Sequence, residues 1–94
     1  MPTPRKYEPQ LRRILANYGT DVTTEWVIKH GTLFERTWWT IKLYEMGTGD
    51  RFTNAQQIAA WGPQQTQAIR VAGFRLQEKL IRVFLGPDQE QKSA

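Results

Sequence analysis

The sequence contains no cysteine, a single histidine and a single serine. The absence of cysteine excludes disulfide bonds, thiolate nucleophiles and cysteine-ligated zinc. The lone serine, Ser93, lies at the C-terminal end, and His30 has no second histidine with which to share a metal. The sequence therefore predicts a non-catalytic protein with no cofactor and no bound metal.

Long apolar runs are also missing. No stretch approaches the roughly 18 residues needed to span a membrane, and the first ten residues, MPTPRKYEPQ, lack the apolar segment of a signal peptide. We therefore expect no membrane contact and a cytoplasmic location, or a nuclear one if the source is eukaryotic.

What the chain does contain is an excess of positive charge in a small domain. Its 94 residues are enough for one hydrophobic core. Thirteen Lys and Arg residues against nine Asp and Glu residues give a net charge of +4, which favours an anionic partner. Nucleic acid is the commonest such partner.

The N-terminal third of the chain predicts a helix followed by extended structure. Apolar residues recur at helical spacing over residues 9–18, and Gly19 follows as a stop signal. Residues 23–30 are rich in threonine, valine, tryptophan and isoleucine, which favour strands. Residues 33–46 alternate in the same way, with a break expected near Glu35 and Arg36. A helical alternative for this second run rests on Phe34, Trp38 and Ile41, which also fit a 3.6-residue period.

Two helices are predicted after the loop at residues 47–50. Thr53 or Asn54 fits a helix N-cap with Gln56 or Gln57 completing a capping box, and Gly62-Pro63 separates this helix from a long one over residues 63–85. The predicted architecture is α+β: an N-terminal helix, a small antiparallel hairpin or three-stranded sheet, and two C-terminal helices. Residues 1–7 are predicted to form a flexible basic arm, residues 8–86 the domain, and residues 87–94 a disordered tail.

The long C-terminal helix carries the main functional prediction. Arg75, Lys79 and Arg82 are spaced i, i+4 and i+7, which places them on one face as a positive stripe. Further contacts to phosphates are predicted from cations near the N-terminus, namely Arg5, Lys6, Arg12 and Arg13.

Residues 52–70 resemble a helix-turn-helix motif. Ala59 would be the small buried residue, Gly62 the turn and Ile69 the β-branched anchor. Gln64, Gln67 and Arg70, together with Gln65, would then approach base edges. The alternative is two ordinary helices joined by a Gly-Pro corner, with the glutamines on the surface.

Tryptophan suggests a second route to a partner. Trp38 and Trp39 would point to opposite faces of a regular strand, so one of them would be left for solvent, a ligand or another subunit. Exposed aromatic residues of this kind suit base stacking or a protein interface.

Two functions follow from the sequence. The first is a small nucleic-acid-binding protein, expected to bind DNA through the basic helix face and to act in regulation. The second is a protein-interaction module, such as a phage- or plasmid-type inhibitor or adaptor that docks through exposed aromatic residues. A homodimer is expected in the first case, because the long helix has an apolar arc of roughly 200°, wider than the ~100° a surface helix needs.

Overall fold

The computed structural model describes residues 7–86, and over this range the protein is entirely helical. Five α-helices follow one another: α1 Glu8–Tyr18, α2 Thr20–His30, α3 Leu33–Thr48, α4 Asn54–Trp61 and α5 Pro63–Leu80. A π-helical segment, Ile81–Leu85, continues α5. The predicted α+β fold is therefore wrong, since the two runs expected to pair as a hairpin or sheet form α2 and α3.

The threonines that suggested strands are accommodated within helices by their own hydroxyl groups. In α3 the hydroxyl of Thr37 donates to the carbonyl of Leu33 at 3.0 Å, and that of Thr40 donates to the carbonyl of Arg36 at 2.9 Å. Each of these bonds joins a residue to the one four positions earlier, so the side chain follows the helical hydrogen-bond pattern. Threonine content therefore could not distinguish a strand from a helix here.

The predicted break near Glu35 is instead the first turn of α3. The Thr32 hydroxyl accepts a hydrogen bond from the amide of Glu35 at 3.1 Å, and the Glu35 carboxylate accepts one from the amide of Thr32 at 2.9 Å. This reciprocal pair is a capping box, which satisfies two amides that a helix start leaves without partners. The helical alternative, based on Phe34, Trp38 and Ile41, is confirmed.

Two single-residue corners, each a glycine, join consecutive helices. Gly19 joins α1 to α2 with φ of 90°, and Gly62 joins α4 to α5 with φ of 87°. Residues other than glycine rarely adopt such positive φ values, so both corners favour glycine. In each case a buried threonine four residues later, Thr23 or Thr66, donates its hydroxyl proton to the glycine carbonyl, at 2.9 and 2.8 Å respectively.

The core lies where α1, α2, α3 and the end of α5 meet. The Trp39 side chain is 2% exposed, and its indole nitrogen donates to the Thr24 hydroxyl at 2.8 Å, which ties α3 to α2. The aliphatic residues around it share near-complete burial; they are Leu11, Ile14, Val27, Leu76, Leu80 and Ile81. Much of the apolar arc of the long helix is thus buried within its own chain.

The domain boundaries can be followed only in part. Residues 1–6 of the predicted basic arm and the predicted tail at 87–94 lie outside the described residues. Tyr7 precedes α1, and its hydroxyl donates to the Glu78 carboxylate on α5 at 2.8 Å. Among the helices described, none has the length and apolar character required to cross a bilayer.

Candidate nucleic-acid interface

The α4–α5 corner has the local features that the sequence predicted. Thr53 caps α4 and forms a capping box with Gln56, and Pro63 opens α5 directly after Gly62. Ile69 is 1% exposed, as expected for the anchoring residue of a helix-turn-helix, but Ala59 is exposed. No residue of α4 is fully buried. Half-buried Trp61 at its end meets the ring of Phe52 edge-on at 5.3 Å.

One side of α5 faces solvent along its length. We define the outer face as Gln64, Gln67, Val71 and Arg75 of α5, with Arg82 of the π-helical segment; all five are exposed. At 100° per residue, these positions lie opposite the buried residues Ile69, Leu76 and Leu80. The structure therefore groups two of the predicted base-contacting glutamines with two of the predicted phosphate-contacting arginines.

Lys79 does not share this environment. Its ammonium group lies 2.9 Å from one carboxylate oxygen of Glu35 and 3.1 Å from the other. The Glu35 side chain is only 3% exposed, whereas that of Lys79 is 39% exposed. A buried carboxylate needs such a partner, so Lys79 stabilises the packing of α3 on α5 and differs in role from Arg75.

Arg70 lies on another side of α5, half-buried beside α4. Its guanidinium donates to the side-chain oxygen of Asn54 at 3.3 Å. It also lines a groove of about 630 Å³ between α1, α3 and the start of α4, which we call the central groove. Two other predicted site residues, Arg12 and Trp38, line the same groove. The charged residues of its wall are Glu8, Arg12, Lys42, Glu45, Arg51 and Arg70.

The acids of the central groove already have partners within the chain. Glu8 accepts a hydrogen bond from Arg12 at 2.8 Å and one from Lys42 at 3.5 Å. Burial raises the pKa of Glu8, but the bond from Arg12 and the positive charges of Lys42 and Arg12 outweigh it, so the pKa is lowered overall. Glu45 accepts the amide proton of Phe52 at 2.8 Å.

The two adjacent tryptophans are not exposed in the manner expected from a strand. Trp39 is buried in the core, and half-buried Trp38 packs against Gly73 of α5. The Lys42 ammonium lies 6.0 Å from the Trp38 ring centroid. An aromatic docking surface built on Trp38 and Trp39 therefore has little exposed area.

The other predicted contacts fall into two groups. Arg13 is exposed on α1 and is not part of the central groove, while Arg5 and Lys6 lie outside the described residues. Sequence reasoning missed Lys42 and Arg51 as groove residues. The spacing of Lys42 four residues after Trp38 would have been a signal, but only if residues 33–46 had been taken as a helix.

The arrangement offers cationic and amide donors but no recognisable metal site. Within residues 7–86, no group of three or more His, Asp and Glu side chains is placed to hold a metal ion. Comparison of the chain with protein-family models, with curated proteins and with solved structures gives no match.

Proposed function

We propose that this protein is a non-catalytic DNA-binding protein that contacts the duplex through the outer face of α5. The observation that carries the proposal is the chemistry of that face. The exposed positions of α5 include no acidic residue, and the helix's single acid, Glu78, is half-buried and accepts a hydrogen bond from Tyr7. A phosphate approaching the exposed positions of α5 would meet Gln64, Gln67 and Arg75, with no acidic residue among those positions.

The residues of the outer face suit different parts of a DNA site. Arg75 and Arg82 would pair with phosphate oxygens, which position a protein without reading sequence. Gln64 and Gln67, near the start of α5, have amide groups that match the adjacent acceptor and donor of adenine in the major groove. α5 packs on α3 and α4, so this face is presented from a helix anchored in the fold, as a recognition helix requires. A DNA-binding role implies a cytoplasmic location, or a nuclear one in a eukaryote.

The decisive test is the salt dependence of duplex binding. Replacing Arg75 and Arg82 together by alanine should lower the slope of log K against log salt concentration by roughly one for each lost phosphate contact. Affinity for all duplex sequences should fall alike. Binding would be followed by fluorescence anisotropy of a labelled duplex at several salt concentrations.

The matched control removes the same charge elsewhere. Lys29 on α2 and Arg36 on α3 are both exposed and lie outside the outer face, so their double alanine variant should retain the wild-type slope. Lys79 is left intact in both variants because its loss would also disturb Glu35. Equal slopes for the two variants, or no salt-sensitive binding by the wild type, would refute the proposal.

A separate variant tests sequence reading. Replacing Gln64 and Gln67 by alanine should leave the salt slope intact but reduce the preference for a selected site over random DNA in competition. If base edges are read there, each lost bidentate contact should cost about 1–3 kcal/mol of discrimination.

A further inference from the structure

The wall of the central groove carries more positive than negative charge. Its wall has four cations and two acids, and the acids engage Arg12, Lys42 and a backbone amide. Arg70 instead donates to a neutral amide oxygen, that of Asn54. Arg51, three residues before Asn54 in the chain, is exposed and lines the same groove. Positive charge therefore concentrates near Arg51 and Arg70.

The start of α4 reinforces this charge. Thr53 and Asn54, the N-cap and first residue of α4, both line the groove. The first turn of a helix carries the positive end of the helix dipole, and α4 has no acidic residue there to offset it. Two guanidinium groups and a helix start thus favour an anion at one end of the groove.

The remaining residues of the groove wall are apolar or aromatic, except for Gln57. Ile41 and Met46 of α3 line it together with Phe52 and Trp38. Small-molecule sites of a few hundred cubic ångströms commonly combine such apolar walls with a few polar anchors. The volume of about 630 Å³ exceeds what a lone phosphate ion would occupy.

From these features we infer that the central groove binds a nucleoside phosphate, with the phosphate at Arg51 and Arg70 and the base against the apolar wall. Arginine suits this role because its planar guanidinium can donate two parallel hydrogen bonds to a phosphate. The site is separate from the outer face of α5, so the inference goes beyond duplex binding and does not depend on it.

Calorimetric titration of the full chain can test the two halves of the ligand separately. The probes are adenosine 5′-monophosphate, adenosine and inorganic phosphate. The nucleotide should bind at least about tenfold more tightly than either fragment, because it engages both ends of the groove. Equal affinity for inorganic phosphate and the nucleotide would show an unspecific anion site and would overturn the inference.

Variants locate the binding. Arg70→Gln keeps a donor for Asn54 but removes the charge, and it should weaken nucleotide binding about tenfold or more. Arg75→Ala, on the outer face, should bind the nucleotide as the wild type does. Should circular dichroism show that Arg70→Gln is misfolded, Arg51→Ala serves instead, since the Arg51 side chain is exposed. Wild-type affinity in the folded groove variant would exclude the site.

The phosphate could belong to a free nucleotide or to the end of a nucleic-acid strand. Short single-stranded oligonucleotides with and without a 5′-phosphate distinguish these sources. Tighter binding of the phosphorylated strand, lost in the Arg70→Gln or Arg51→Ala variant, would assign the groove to strand ends. Binding of the mononucleotide alone would assign it to free nucleotides.

Discussion

At Gly73, α5 lies very close to the Trp38 side chain of α3. A Cβ placed there would lie 2.5 Å from Cδ1 and Cε2 of Trp38 and would also overlap the indole nitrogen. The indole or the helix backbone would have to shift to relieve this overlap. We predict that Gly73→Ala lowers the free energy of unfolding by about 1–3 kcal/mol, the usual cost of overpacking. Urea denaturation followed by circular dichroism measures this change.

Gly47 provides the control for this prediction. It also lies within a helix, α3, but a Cβ there would have no neighbour within 4 Å. Gly47→Ala should therefore leave the free energy of unfolding unchanged or raise it by up to about 1 kcal/mol, because alanine favours helix more than glycine does. A similar loss of stability in both variants would contradict the proposed role of Trp38.

Single residues also limited what the sequence could predict about the site. The exposure of Gln64, Gln67, Arg75 and Arg82 follows from helical periodicity, which the sequence displays directly. The engagement of Lys79 does not, because its partner Glu35 is 44 positions away in the chain. A cation on a helix face can contact an external partner or pair with a buried acid of its own chain, and only the tertiary packing shows which.

At the scale of helices, terminal signals were more reliable than residue composition. Gly19, the Thr53–Gln56 capping box and Pro63 mark real helix ends, and each acts through a local backbone interaction or conformation. The composition of α2 and α3 predicted strands wrongly. β-branched and aromatic residues are favoured on any half-buried, packed surface, and a helix buried on one side also provides such a surface. The π-helical segment carried no signal in the sequence.

The start of α3 can be used to test this distinction. The Thr32 hydroxyl caps α3, whereas the Thr37 hydroxyl only duplicates a bond that the helix already makes along its backbone. Thr32→Ala should therefore lower the free energy of unfolding by about 0.5–2 kcal/mol. Thr37→Ala removes the same atoms within the helix and should be neutral or slightly stabilising. Thermal unfolding of both variants would reveal the difference; equal losses would show that the capping box contributes nothing specific.

At the scale of the whole molecule, the central groove could not be predicted from sequence. Arg12, Trp38 and Arg70 were each predicted as contact residues, but for different surfaces, and they share a wall only because α1, α3 and α5 pack together. The apolar arc that suggested a homodimer is also explained by this packing. Leu76, Leu80 and Ile81 are at most 1% exposed within one chain.

A homodimer stays a prediction, and it would use an apolar surface other than the buried part of this arc. Association through the outer face of α5 would bring Arg75 and Arg82 of both copies into one contact, where like charges would be poorly solvated. Ile28 and Leu33 flank the corner between α2 and α3 and are 59% and 67% exposed. Lys29 and Arg36 are exposed beside them, and this corner does not include Arg75 or Arg82. We predict that the protein dimerises through this corner and leaves the outer face open. Light scattering should give twice the chain mass of 11.0 kDa at micromolar concentration.

Charge substitution can locate this contact. Leu33→Glu places a carboxylate in the predicted interface and should yield the monomer mass, because burying an unpaired charge is unfavourable. Val71→Glu makes the same kind of change on the outer face, where the side chain is 38% exposed, and should leave the dimer intact. It should nevertheless weaken duplex binding, since it places an acid beside Arg75. A wild-type monomer, or a dimer disrupted by Val71→Glu and not by Leu33→Glu, would reject this assembly.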